Sequence, residues 1–242
     1  MSDLITRHNK NSSYSSAASN VSYDAGLRTY MLQVYNFMAA ALGISGAVAF
    51  LTANSPALMN AIFGTPLAWV VMLAPLGFVI YFGAKINSMS ISKAKNCLWI
   101  FAGLMGLSMS SILITYTGAS VARVFFISAS VFGSMSLYGY TTKKDLTGMG
   151  SFLMMGLIGI IIASLVNIFL KSSALEFAIS VIGVFIFIGL TAYDTQKIKQ
   201  MYYQASGNAD MVSRMAVMGA LNLYMDFINL FLMMLHLFGD RR

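Results

Sequence analysis

Acidic side chains are scarce in this chain, with eight Asp and Glu among 242 residues. Charge of either sign is low at 10% of residues, hydrophobic residues reach 58%, and mean hydropathy is +0.74. A soluble domain carries about 25% charged residues. This chain lacks the charge to cover a water-facing surface, so a soluble globular fold is excluded. Disorder is excluded as well, because disordered chains are apolar-poor and charge-rich. A single cysteine, Cys97, forbids an intrachain disulfide. One cysteine with two distant histidines, His8 and His236, forbids a Cys/His metal site. The alternating strands of a membrane barrel, about ten residues each, are also missing. The class that remains is an all-α, polytopic membrane protein.

Against these absences stand seven long apolar runs, near residues 30–53, 67–84, 96–116, 121–141, 150–170, 175–197 and 212–237. Each is close to the roughly 20 apolar residues that a spanning helix needs. Pro56 and Pro66 punctuate the loop after the first run, and Pro75 is placed to kink the second. Residues 1–29 are polar and Ser/Asn-rich and lack the apolar core of a signal peptide, so they read as a flexible cytoplasmic tail. Residues 30–242 form the transmembrane domain. Small and hydroxyl residues such as Ser110, Ser128 and Gly133 read as close helix packing.

The net charge of +7 reads as basic cytoplasmic loops meeting anionic lipid, and not as a nucleic-acid surface. Eleven basic residues (Arg7, Lys10, Arg28, Lys85, Lys93, Lys95, Lys143, Lys144, Lys197, Lys199, Arg214) fall on the N-terminal side. Four (Arg123, Lys171, Arg241, Arg242) fall on the other. The N-terminus is therefore expected to be cytoplasmic. Seven full spans put Arg241 and Arg242 on the minority side, and a re-entrant seventh segment would bring them back.

Six of the eight acids lie outside the apolar interiors: Asp3, Asp24, Asp145, Glu176, Asp210 and Asp240. Asp194 and Asp226 lie within spans. An Asp at a helix centre costs about 2.5–3.5 kcal/mol on insertion, and such residues face the bundle interior and mark ion or proton paths. Asn222, Asp226 and Asn229 share one helical face. Thr191, Asp194 and Lys197 share another. The sixth and seventh segments are consecutive and antiparallel, so the two carboxyls can meet. They would then share a proton near neutral pH, and separate or take a hard cation such as Ca²⁺ once both ionise. The competing arrangement pairs Asp194 with Lys197 and holds Asp226 by the Asn side chains. Nothing points to an enzyme. The seventh segment has no lysine for a retinal Schiff base, and no Gly-x-Gly-Asp accompanies Tyr193-Asp194 as an intramembrane aspartyl protease requires.

Five stretches, DAGLRTYMLQVYNFMA, FGSMSLYGYTTKKDLTGMGSFL, NIF, YDTQKIK and LYMDFINLFLMMLHLFG, resemble the Bax inhibitor-1 family in its bacterial, YccA-like branch. The resemblance implies seven helices with the C-terminal one central. It implies a pH-sensitive calcium leak across the bacterial inner membrane, gated by an aspartate pair that corresponds to Asp194 and Asp226. Transported Ca²⁺ and H⁺ follow from that, with no cofactor. The family's second helix carries an acid that contributes to gating, whereas the second segment here has none and only Lys85 near its end. The bacterial branch is also linked to a membrane-bound AAA protease, for which the tail from Met1 to Asp24 would be the handle.

Overall fold

The computed structural model describes residues 25–205 and 207–242, with Asn87 described by its backbone alone. The expected tail up to residue 24 lies outside the described residues. Eight helices follow in order. They are α1 (Ala25–Ala53), α2 (Pro56–Phe63), α3 (Leu67–Lys85), α4 (Ile91–Thr115), α5 (Gly118–Thr141), α6 (Thr147–Leu170), α7 (Ser173–Ala205) and α8 (Ala209–Phe238). All but α2 are long and apolar enough to span a membrane, and these are the seven segments expected.

Several boundaries differ from expectation: α1 already includes residues 25–29 of the expected tail, with Leu27 buried, and α4 opens at Ile91 and not near residue 96. The loop after α1 contains the helix α2. Ser55 caps it by accepting from the Leu58 N–H, and Pro56 opens its first turn, where no N–H is needed. The sixth span does not stop at Lys197 but continues as helix to Ala205. Lys, Gln and Met are good helix formers, so charge ends the apolar run without ending the helix. The break comes at Gly207, whose φ of 109° suits glycine and turns the chain into α8. Pro75 lies buried inside an α3 that continues through it.

The C-terminal helix is central, as expected. In its spanning window 67% of residues are buried, against 11% to 33% in the other six spans. Around it pack α1, α4, α5 and α7, while α6 leans on α7 and α3 on α4. At 30 residues, α8 is about 45 Å long, more than the roughly 30 Å hydrocarbon core. It is long enough to cross fully.

Two of the three minority-side arginines have acid partners there. Arg123 meets Asp240 at 2.9 Å and Arg241 meets Glu176 at 3.2 Å. The Thr117 N–H donates to the Asp240 carbonyl and the Arg242 N–H to that of Thr115, which straps the last residues across the α4–α5 connection.

Helix–helix contact in lipid relies on small residues that let backbones approach. Gly139 of α5 is such a point, because a Cβ there would land on the backbone of Ala192 in α7. Gly133, two turns earlier, has no atom within 4 Å of that position. Gly139→Ala should therefore cost about 1–3 kcal/mol by overpacking. Gly133→Ala should hold stability or raise it by up to about 1 kcal/mol, since Ala is the better helix former. Thermal unfolding of the two variants in detergent compares them directly, and equal midpoints would refute the close α5–α7 contact.

Candidate functional site

The motif YDTQKIK (Tyr193–Lys199) sits in the inner half of α7, the half nearest the basic loops, and its side chains are divided among the neighbouring helices. Successive helical residues point about 100° apart. Tyr193 lies flat where Gly150 of α6 leaves room for its ring. Thr195 hydrogen-bonds with Ser136 of α5 at 2.9 Å. Ile198 packs on Gly219 of α8. Gln196 accepts from the Leu146 N–H and donates to the Lys144 carbonyl, both at 2.8 Å, fixing the α5–α6 loop. The Lys199 ammonium donates to the Tyr140 carbonyl at 3.1 Å. With its neighbours so held, Asp194 is aimed at α8.

On α8, Tyr224 fixes the rotation. Ser45 of α1 has one proton and faces the carbonyls of Ala41 and Ala102, so Tyr224 donates to its oxygen, at 2.7 Å. Asp226 is two residues on, about 200° around the helix, and so faces away from α1 toward α7. The Asp194 and Asp226 carboxyls lie within hydrogen-bond reach of each other. Asp226 is 6% exposed, and its Oδ2 receives no hydrogen bond from any donor among the described residues. An ionised carboxylate is acceptor-only, so a hydrogen bond between the two requires a proton on one of them.

The other expected residues fall as follows. Lys197 is exposed, with its ammonium 5.8 Å from the centre of the Tyr193 ring. It acts electrostatically on both carboxyls, yet among the described residues no ion pair joins it to either within 4 Å. Asn222 and Asn229 are half-buried on the face of Asp226, and no hydrogen bond links them to it. Two carboxyls fall short of the six to eight oxygens of a resident calcium site. No cluster of three or more His, Cys, Asp or Glu occurs among the described residues.

A relay of hydroxyls was not anticipated. Thr195 donates to the Thr191 carbonyl at 2.7 Å, so it accepts from Ser136, which in turn accepts from Tyr35 of α1 at 2.6 Å. These residues stand in three of the stretches quoted above, and hydroxyls within otherwise apolar runs are the signal that could have found them.

Two cavities lie elsewhere in the bundle, and neither is lined by Asp194 or Asp226. A polar vestibule of about 680 Å³ opens at the basic end between α1, α7 and α8, lined by residues including Thr29, Tyr30, Gln33, Tyr202 and Ser213. Its Tyr202 is eight residues, about 12 Å, short of Asp194 along α7. On the other face of α8, between α1, α4 and α5, an apolar cavity of about 130 Å³ is lined by Ser45, Phe227 and Phe231 among others. On the α5–α6 loop, Asp145 accepts from the N–H and hydroxyl of Thr147, which hold its carboxyl below the usual range.

Residues 27–242 match the family model described as inhibitor of apoptosis-promoting Bax1. An uncharacterised protein of Rickettsia prowazekii is 52% identical over 223 residues, covering 92% of this chain and 94% of that one. The inner membrane protein YbhL of Escherichia coli is 48% identical over 220 residues, covering 90% and 94%. A protein of Caulobacter vibrioides is 48% identical over 232 residues, covering 92% and 93%.

The Gln196 clamp yields a prediction. Gln196→Ala strips the buried Leu146 N–H of its acceptor, at a cost of about 1–3 kcal/mol. Hydrogen exchange at Leu146 and tryptic cleavage after Lys143 and Lys144 should both accelerate. An unchanged loop would show that Gln196 does not hold it.

Proposed function

We propose that this chain, which belongs to the Bax inhibitor-1 family, is a passive cation leak gated by the Asp194–Asp226 pair. It is an integral membrane protein. YbhL is named an inner membrane protein, and a bacterial inner membrane with the N-terminus on the cytoplasmic side is the setting proposed.

The observation that carries the proposal is the contact of two carboxyls on adjacent helices, one of them on the buried central helix. A single shared proton satisfies both and ties α7 to α8. When it leaves, two like charges face each other in a low-dielectric site, where repulsion is many times stronger than in water. The helices then part or admit a hard cation, for which calcium is the expected species because all the ligands are oxygens. The arrangement described corresponds to the closed state. The vestibule stops short of the pair, with Tyr202 its α7 residue, and opening would extend it to the carboxyls. Lys197, near both carboxyls, sets the pH range in which the last proton leaves.

The sign follows from the chemistry. Proton loss breaks the tie, so flux should rise as pH rises. Asp194→Asn and Asp226→Asn each replace the shared proton by an amide N–H, which bonds a carboxylate at any pH. In liposomes loaded with a calcium dye, the wild-type response should resemble a typical two-state switch of about 5–150-fold. Either variant should give low flux that barely changes with pH. Variants that melt like the wild type yet keep its full pH response would sink the gate.

A further inference from the structure

We propose that the groove between α1 and α5 binds one anionic phospholipid of the leaflet next to the basic loops. Helix α1 packs on α4 and α8, and α5 packs on α7 and α8, which leaves a cleft of about 600 Å³ between them. Along α1 it runs from Arg28 to Leu42. Those 14 residues span about 21 Å, the depth of one leaflet's share of a roughly 30 Å core plus its headgroup zone.

The walls match a lipid in their order. At the basic end stands Arg28, exposed, with no carboxylate partner among the described residues. The described acids at the far end, Glu176 and Asp240, are already paired. Beyond Arg28 the cleft is apolar. Its rim residues Leu32 and Leu137 are 52% and 62% exposed within the spans, so the cleft opens sideways into the bilayer. The hydroxyls of Tyr35 and Ser136 in its floor are bonded to each other and make no demand on an occupant. An acyl chain fills such a cleft, and a phosphate fits the exposed guanidinium at its mouth. The excess of basic residues at that end selects an anionic headgroup over a zwitterionic one. This site does not depend on ion flux.

The full chain, extracted with a mixture of phosphatidylglycerol and phosphatidylcholine of equal chain length, is examined by native mass spectrometry. One phosphatidylglycerol per chain should survive mild activation. Arg28→Gln should lower its retention about fivefold, the worth of one basic residue at a membrane surface, and erase the preference over phosphatidylcholine. Gly133→Phe should exclude both lipids. Position 133 lines the cleft and has no atom within 4 Å of an added Cβ, so a side chain there has room to start into the cleft, and a melting curve checks that the variant is folded. The proposal fails if Arg28→Gln keeps the preference, or if Gly133→Phe melts like wild type and still holds lipid. It fails equally if a second copy of the chain is retained in place of the lipid.

Discussion

In a bilayer the lipid tails are as apolar as leucine, so burying apolar surface gives helices no reason to choose one another. The order of this bundle therefore depends on hydrogen bonds that cross between helices and on points where backbones come close. Ser45 joins α1, α4 and α8 at once. The Tyr35–Ser136–Thr195 relay joins α1, α5 and α7. Gln196 fastens a loop, and Gly139 lets α5 reach the α7 backbone. These few contacts fix the rotation of each helix about its axis. Rotation decides which of 30 side chains on α8 meet which of 33 on α7.

The carboxyl pair follows from those rotations. Tyr224 turned toward Ser45 obliges Asp226 to turn toward α7, and Thr195 turned toward Ser136 leaves Asp194 facing α8. Neither acid has a basic side chain or an amide as its own close partner among the described residues. An ion pair would have stabilised a single arrangement over a wide pH range. A shared proton, as proposed for this pair, would stabilise one only while the proton is present and so make the interface conditional on its surroundings.

Much of the architecture was legible in the sequence because length and hydropathy specify spanning helices almost by themselves. The helix that occupies the centre was legible only through resemblance. In lipid the buried helix need not be the most apolar, and α8 is marked instead by Ala216, Gly219, Ala220 and its acid. The helix α2 escaped notice because two prolines suggest a loop, although Ser55-Pro56 is also a good helix start. At the site, the two acids stood out by cost alone. Their partners did not. Spacing put Asn222, Asn229 and Lys197 on the right faces, but a shared face says nothing of what a side chain reaches across to. The residues that orient the pair are a tyrosine, a serine and a threonine, types common in any such chain. Only the register between helices gives them their role.

The central position of α8 bears on how the protein is made. It follows the other six spans in chain order, so each of them enters the membrane before the helix they will surround has been synthesised. Until then the Tyr224 bond to Ser45, the partner of Asp194 and the seat of Ile198 on Gly219 are all missing. The contacts that turn Asp194 and Asp226 toward each other are therefore completed only when the last span is in place.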